Sequence, residues 1–332
     1  DYKVMLPTSI LLGCVVVLLA DTIGRTVIPA MEIPVGIVMT VSGGPFSSTC
    51  SERRERSMQI RGEQLRVSYG DHIVIDSMDT EISKHNITTI IGPNGSGKST
   101  VLKALTRLLP YQAGNVTIDG KLLEQYGSRE LSQLIGVLPQ IHTAPPDFRV
   151  KELVAYGRMP HQKWYQKNSC EDDRVIQWAM EMTGISHLQE KSIHEISGGE
   201  LQRTWIATVL AQEPQILFLD EPTTYLDVPH QLETLRLVKK LNRCSGIGVV
   251  MVLHDLSHAM EISDHVIVIR NGHIYDEGAP EDVITCKMLR EVYHVDCSVI
   301  PMAGRRRPVI LYREIEEDGS VSQKEELWKK TV

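Results

Sequence analysis

Short runs of apolar, often β-branched residues recur along the chain, and each stops at glycine or acidic positions. Residues 86–91 (NITTII) read as a buried strand that feeds directly into a glycine-rich turn. Residues 215–219 (QILFL) read as a second buried strand, ending in the adjacent acids Asp220 and Glu221, and 249–253 read as a third, followed by His254. Between the first two, residues 201–211 carry apolar positions at helical spacing, with Ser197 placed as the N-cap. A helix is expected over 98–109, stopped by Pro110. Residues 59–69 are expected to form an early strand, and Asp119-Gly120 and Asn271-Gly272 are expected as hairpin turns.

The turn after the first strand reads Gly92-Pro93-Asn94-Gly95-Ser96-Gly97-Lys98-Ser99-Thr100. Its glycines let the backbone fold tightly around an anion and aim N–H groups inward, while the helix opening at Lys98 turns its positive end toward the same charge. Lys98 can reach the β and γ phosphates of a nucleotide, and the Ser99 hydroxyl can ligate Mg²⁺. Taken alone the pattern is also that of a glycine-rich surface turn. The strand before it and the helix expected after it are the context that phosphate binding needs. Asp220 stands where such an enzyme holds its metal through water, and Glu221 where it orients and deprotonates the attacking water. A solvated acidic turn before Pro222 is the bland alternative. Together the motifs point to ATP binding and hydrolysis.

Ile196-Ser197-Gly198-Gly199-Glu200, placed ahead of a strand that ends in Asp-Glu, resembles the signature motif of ATP-binding cassette (ABC) ATPases. The resemblance covers about residues 59–312 and implies a RecA-like α/β P-loop core. It also implies an antiparallel β element from the strands around 65–75 and 116–118, and an inserted helical subdomain. The boundaries it suggests are 58–142 for the first part of the core, 143–204 for the helical subdomain, 205–312 for the second part and 313–332 for a polar tail. It further implies that Gln140 touches Mg²⁺ and the attacking water, that His254 contacts the γ-phosphate, and that Tyr69 lies under the adenine. Tyr225-Leu226-Asp227 matches the D-loop. Ser197, Gly198, Gly199 and Glu200 of one subunit would close over the nucleotide held by a second copy. One departure is Glu200-Leu201, where near members of the family often carry Gln-Arg.

The wording of 145–161, of Glu221-Pro222-Thr223-Thr224-Tyr225-Leu226-Asp227 and of His230-Gln231 looks most like the ATPases of iron-siderophore, haem and cobalamin uptake, the ferric-siderophore and ferric-citrate types above all. This implies an importer subunit at the cytoplasmic face of the membrane. It would work with a permease dimer, a second copy of itself and, indirectly, an extracytoplasmic siderophore-binding protein. Haem or cobalamin as cargo, or a soluble ABC ATPase with no permease, are the alternatives. A single P-loop and the absence of a long coiled-coil insertion speak against the last.

The first 57 residues do not fit that pattern. Residues 4–20 are 17 nearly unbroken apolar residues, about 25 Å as a helix, and 34–46 are 13, about 20 Å against a hydrocarbon core of about 30 Å. Only Lys3 stands where a signal peptide needs a basic region. The text from Ala20 to Val38 resembles the C-terminal end of the permease that partners this class of ATPase, and it gives way to the polar residues 47–57 before Met58. The segment is expected to be a permease fragment joined to the cassette by fusion, by a frameshift or by a misdrawn gene; a membrane anchor is the alternative.

Acidic residues outnumber basic ones, 42 to 35, and the N-terminal 57 residues hold five of each, so the net charge of −7 lies on the cassette. An acidic domain offers nothing to nucleic acid. The six cysteines have no Cys-x-x-Cys or zinc spacing and are expected as free, buried thiols in a reducing cytosol. Arg305-Arg306-Arg307 is expected as a solvated loop.

Overall fold

The computed structural model describes residues 58–141, 143, 147–162, 169–302, 304 and 307–313. The permease-like segment 1–57, the tail beyond 313 and part of the stretch expected to open the helical subdomain lie outside the described residues.

In chain order, strands β1 (Gln59–Tyr69), β2 (His72–Ser83) and β3 (Ile87–Ile91) lead into helix α1 (Lys98–Leu105). The hairpin of β4 (Ala113–Ile118) and β5 (Lys121–Leu122) follows, then α2 (Ser128–Leu134) and β6 (Ile135–Leu138). Helices α3 (Val150–Tyr156), α4 (Cys170–Thr183) and α5 (Gly198–Leu210) precede β7 (Ile216–Asp220). Then come α6 (Val228–Ser245), β8 (Gly248–Val252), α7 (Leu256–Ile262), β9 (His265–Arg270) and β10 (His273–Gly278). The short helices α8 (Pro280–Val283) and α9 (Cys286–Met288), with a π-helical turn at Leu289–Tyr293, carry the chain to the hairpin β11 (Asp296–Ile300) and β12 (Val309–Arg313).

The central sheet has the order β10-β9-β3-β8-β7-β6, parallel from β9 to β6, with β10 antiparallel at one edge. Every residue of β3, β7 and β8 is buried, because helices cover one face and α1 with a second sheet covers the other. This is why these strands read as runs of apolar and β-branched residues, the threonines of β3 included, rather than as polar–apolar alternation. Successive residues part company: Phe218, Val250 and Ile267 join the layer of α1, while Leu217, Val249 and Val266 join the layer of α3 to α7. The second sheet, β2-β1-β4-β5, is antiparallel and holds the strands expected around 65–75 and 116–118. Both expected hairpin turns form. Asp119 and Gly120 have φ of 52° and 80°, Asn271 and Gly272 of 50° and 79°, the pair of left-handed residues that a type I′ turn requires.

The first helix is shorter than expected. It ends at Leu105, with Arg107 at φ 61°, where its N–H bonds Ala104 O and the Leu108 N–H bonds Lys103 O, a Schellman closure. The Thr106 hydroxyl donates back to Leu102 O, and the Arg107 guanidinium is tied to Tyr126 O at 2.6 Å, so a tertiary anchor closes the helix before Pro110 can.

Helices α3 and α4 pack on α5 and share its buried cluster with the sheet through Val154, Met180, Ile206 and Leu210. A polar staple adds to this. Buried Arg158 donates to Asp172 Oδ1 at 2.8 Å, to Ala211 O at 2.7 Å and to Glu213 Oε2 at 2.7 Å. His161 is partly buried and sets its ring on Gln212 O at 2.8 Å. Burial works against ionisation of Asp172, but bonds from Ser169 and Arg158 outweigh it and hold the carboxyl down at about 2.

A carboxyl whose pKa is lower in the fold than its ordinary 3.8 stabilises the protein above that value, and the contribution is lost as pH falls through about 2. Asp172→Asn is therefore expected to cost about 2 kcal/mol at neutral pH, with the deficit shrinking between about pH 4 and 2. Urea unfolding of both proteins across that range checks it.

Candidate active site

Neighbouring strands β3, β8, β7 and β6 run parallel, so their carboxyl ends lie along one edge of the sheet. That edge carries the turn 92–100 after β3, His254 after β8, Asp220 and Glu221 at the end of β7, and Gln140 after β6. Such an edge is where open α/β sheets take their ligands.

The geometry of the turn suits an anion. Gly92, Gly95 and Gly97 have φ of 152°, 76° and 106°, outside what other residues adopt without strain. A Cβ on Gly92 would sit 2.2 Å from Ile269 O and 2.7 Å from Ser96 Oγ. The Ser96 hydroxyl is buried with no partner among the described residues. Gly97 caps α1 without a side chain and the helix's first turn has no acid, so no side chain caps its leading N–H groups. Pro93 O accepts from Ser96 N at 3.2 Å, Asn94 is exposed and Thr100 is buried. The Lys98 ammonium donates to Gly92 O and Pro93 O, both at 2.9 Å. Burial lowers its pKa, and the carboxylates of Glu221 and Asp220 pull it back.

The acids stand opposite. Ser99 Oγ donates to Asp220 Oδ1 at 2.8 Å, joining positions 121 residues apart. Asp220 is buried, which raises its pKa against the Ser99 bond and the charge of Lys103. Glu221 turns out of the strand at φ 54°, an uncommon conformation for a residue with a side chain. Its carboxylate is gripped at both oxygens: His254 Nε2 lies 2.5 Å from Oε1, while Gln140 Nε2 at 2.7 Å and Thr224 Oγ1 at 3.0 Å donate to Oε2. A carboxylate so fixed can orient a water and accept its proton. The hydroxyl, carboxylate and amide oxygens of Ser99, Asp220 and Gln140 are the hard donors that suit a magnesium ion.

Bonds among the described residues unite the turn, Asp220, Glu221, Gln140 and His254, but they do not bring in the other expected residues. Tyr69 ends β1 opposite His72, half exposed, two residues of β2 before Val74, which lies against Gly97. Ser197 and Glu200 bond each other: Ser197 Oγ accepts from the Glu200 N–H at 3.3 Å and donates to its carboxylate at 2.8 Å. Ser197 is thus the N-cap expected, and Gly198 and Gly199 begin α5. Hydrogen bonds from the Ser197 N–H and hydroxyl hold the Glu200 carboxyl below its usual range. Two participants went unnoticed in the sequence. Thr224 grips Glu221, and the Asn271-Gly272 turn braces the anion loop through Gly272 N–H to Ser96 O at 3.2 Å. Spacing marked the second as a hairpin and carried no sign of its neighbour.

Residues 75–224 match the ABC transporter family, and residues 1–47 match the FecCD transport family. The chain is 44% identical over 252 residues to the ferric enterobactin transport ATP-binding protein FepC of Escherichia coli (strain K12), covering 75% of this chain and 93% of FepC. It is 42% identical over 249 residues to the iron(3+)-hydroxamate import ATP-binding protein FhuC of Bacillus subtilis (strain 168), covering 75% and 93%. Among solved structures it resembles the dimeric bacterial ABC transporter cassette MJ0796, with a TM-score of 0.58 and 28% identity over 67% of this chain and 98% of that one.

Gly92→Ala puts a methyl group into the Ile269 carbonyl and strains the backbone. It is expected to lower the melting temperature by about 5 °C, an overpacking cost of about 2 kcal/mol, and to weaken nucleotide binding by more than tenfold. Calorimetry with and without nucleotide checks both.

Proposed function

Because this chain belongs to the ABC transporter family as an ATP-binding subunit, an ATPase, we propose that it powers an importer that carries ferric siderophore across the cytoplasmic membrane. The observation that carries the reading is the union, in one chain, of a cassette 42–44% identical to siderophore-import subunits and a stretch matching the FecCD transport family.

In this reading Lys98 and the N–H groups of residues 92–100 bind the phosphates of ATP, and Tyr69 lies against the adenine. Glu221, fixed between His254 and Gln140, orients the attacking water and takes its proton. His254 then touches the γ-phosphate. Ser99, Asp220 and Gln140 would hold a magnesium ion, which when bound neutralises phosphate charge. Ser197, Gly198, Gly199 and Glu200 reach the nucleotide of a second copy, a reading supported by the dimeric structure of the related cassette.

The permease dimer is proposed to dock on the segment expected as the helical subdomain. There Tyr156 stacks on Phe148 with ring centroids 5.1 Å apart, and Tyr156 and Met159 are 50% and 62% exposed. Apolar side chains left in solvent at this position are what a partner would cover. Among the described residues no helix is long and apolar enough to cross a membrane, which is consistent with a peripheral place on its cytoplasmic face. The cargo meets an extracytoplasmic binding protein and the permease, not this chain.

Glu221→Gln is expected to bind ATP and form a stable dimer while turnover falls at least a hundredfold; turnover at the wild-type rate would remove Glu221 from the role of base. Uptake of radioactive iron-siderophore by cells lacking the gene should be restored by residues 58–332 and not by their Glu221→Gln variant. An intact iron supply with haem or cobalamin uptake lost would keep the mechanism and change the cargo.

A further inference from the structure

The six cysteines offer no motif by spacing, yet the fold brings two of them together. Cys170 and Cys244 are exposed, contrary to the expectation of burial, and Cys286 and Cys297 meet with their sulfurs 3.0 Å apart. Cys286 opens α9, where Thr285 caps the turn by accepting from Met288 N–H. Cys297 lies in β11, paired with Tyr312 across the hairpin. The Cys286 thiol donates to Cys297 O at 3.1 Å, and the Cys297 thiol donates to Cys286 Sγ. Each sulfur therefore points at the other residue, and closing the pair to a disulfide asks the sulfurs to approach by about 1 Å.

We propose that Cys286 and Cys297 form a reversible dithiol site that a peroxide-class oxidant converts to a disulfide. Cys286 is half-buried and Cys297 buried, so Cys286 is the better placed to meet the oxidant first. Burial and the neighbouring Cys286 push the Cys297 thiol above its usual range, which favours its protonated form. In the first step the Cys286 sulfur attacks the peroxide, an S–O bond forms, the O–O bond breaks and one water leaves, giving the sulfenic acid. In the second the Cys297 sulfur attacks that of Cys286, the S–O bond breaks, and the departing oxygen takes the Cys297 proton and leaves as a second water. Two thiols lose two electrons and two protons, and one hydrogen peroxide becomes two waters. A dithiol reagent reverses it, which suits a protein of the reducing cytosol, where such bonds are transient.

The bond would tie α9 to the β11–β12 hairpin. Just ahead of β12, Arg307, expected in a solvated loop, is instead largely buried and donates to Met260 O at 2.6 Å. Met260 belongs to α7, the helix that begins two residues after His254. The site thus lets oxidation harden the support behind that helix while the residues around the nucleotide keep their chemistry.

The full-length chain, reduced and then exposed to hydrogen peroxide, is unfolded, alkylated and mapped by peptide mass spectrometry. A linked pair of peptides holding Cys286 and Cys297, about 2 Da lighter than the two thiols and restored by dithiothreitol, is the expected result. The melting temperature should rise by about 5 °C with it, since the bond closes a loop between positions 11 apart. Cys286→Ser should leave Cys297 free to alkylate after the same treatment, abolish the rise, and keep ATP turnover within about twofold under reducing conditions. Recovery of Cys297 as a free thiol in the wild type, with Cys286 driven to sulfinic acid, would overturn the proposal. A linked pair that dithiothreitol fails to reduce would overturn its reversibility.

Discussion

A parallel sheet whose strands are buried on both faces must satisfy each backbone N–H and C=O within its own ladder, so the strands lock in register. Here β3 is held between β8 and β9, and β7 between β6 and β8. Register fixes where each strand stops, and the residues proposed to carry the chemistry stand at those stopping points. Asp220 pairs with Val252, the last residue before the turn to His254, and Leu138, at the end of β6, pairs with Leu219. A slip of one strand by one residue would invert its side chains between the two cores and carry its acid or histidine away from the others.

On that edge the groups constrain one another. Asp220 resists ionisation because it is buried, and Lys98 is weakened as a cation for the same reason; each has the other's charge as partial compensation. The uncommon backbone at Glu221 is sustained by bonds to His254 and Gln140, from two other segments, and to Thr224 in its own turn. A strained residue over-determined by its neighbours is a device for holding a reactive group still. The bracing of the glycine-rich turn by the Asn271-Gly272 turn extends the same principle to the start of α1.

Legibility followed distance along the chain. The runs 86–91, 215–219 and 249–253 showed as strands because burial on both faces leaves no polar alternation, and the structure places them within a residue or so of those limits. The N-cap at Ser197 and the two hairpins were readable because their partners are local, whereas the return bond from Glu200 that completes the cap was not read. Helix α1 was overextended because the anchor of Arg107 on Tyr126 comes from 19 residues away, and β1 gave no sign of the bulge near Gln64, whose N–H is held by Asp79. Arg307 was misjudged for the same reason, since its acceptor lies 47 residues upstream.

The sequence by itself pointed to the class of chemistry, an ATPase, through a glycine-rich turn between strand and helix, paired acids ending a buried strand, and a peptide resembling the family's signature. These are short-range patterns, and their physical meaning lies within a few residues. Only the tertiary structure decided which groups touch: Ser99 with Asp220, Glu221 with His254 and Gln140, Arg158 with Asp172 and Glu213, and Cys286 with Cys297. Such contacts depend on strand order, crossover packing and the rotation of each side chain, and these follow from burying the whole chain at once rather than from any one stretch of it.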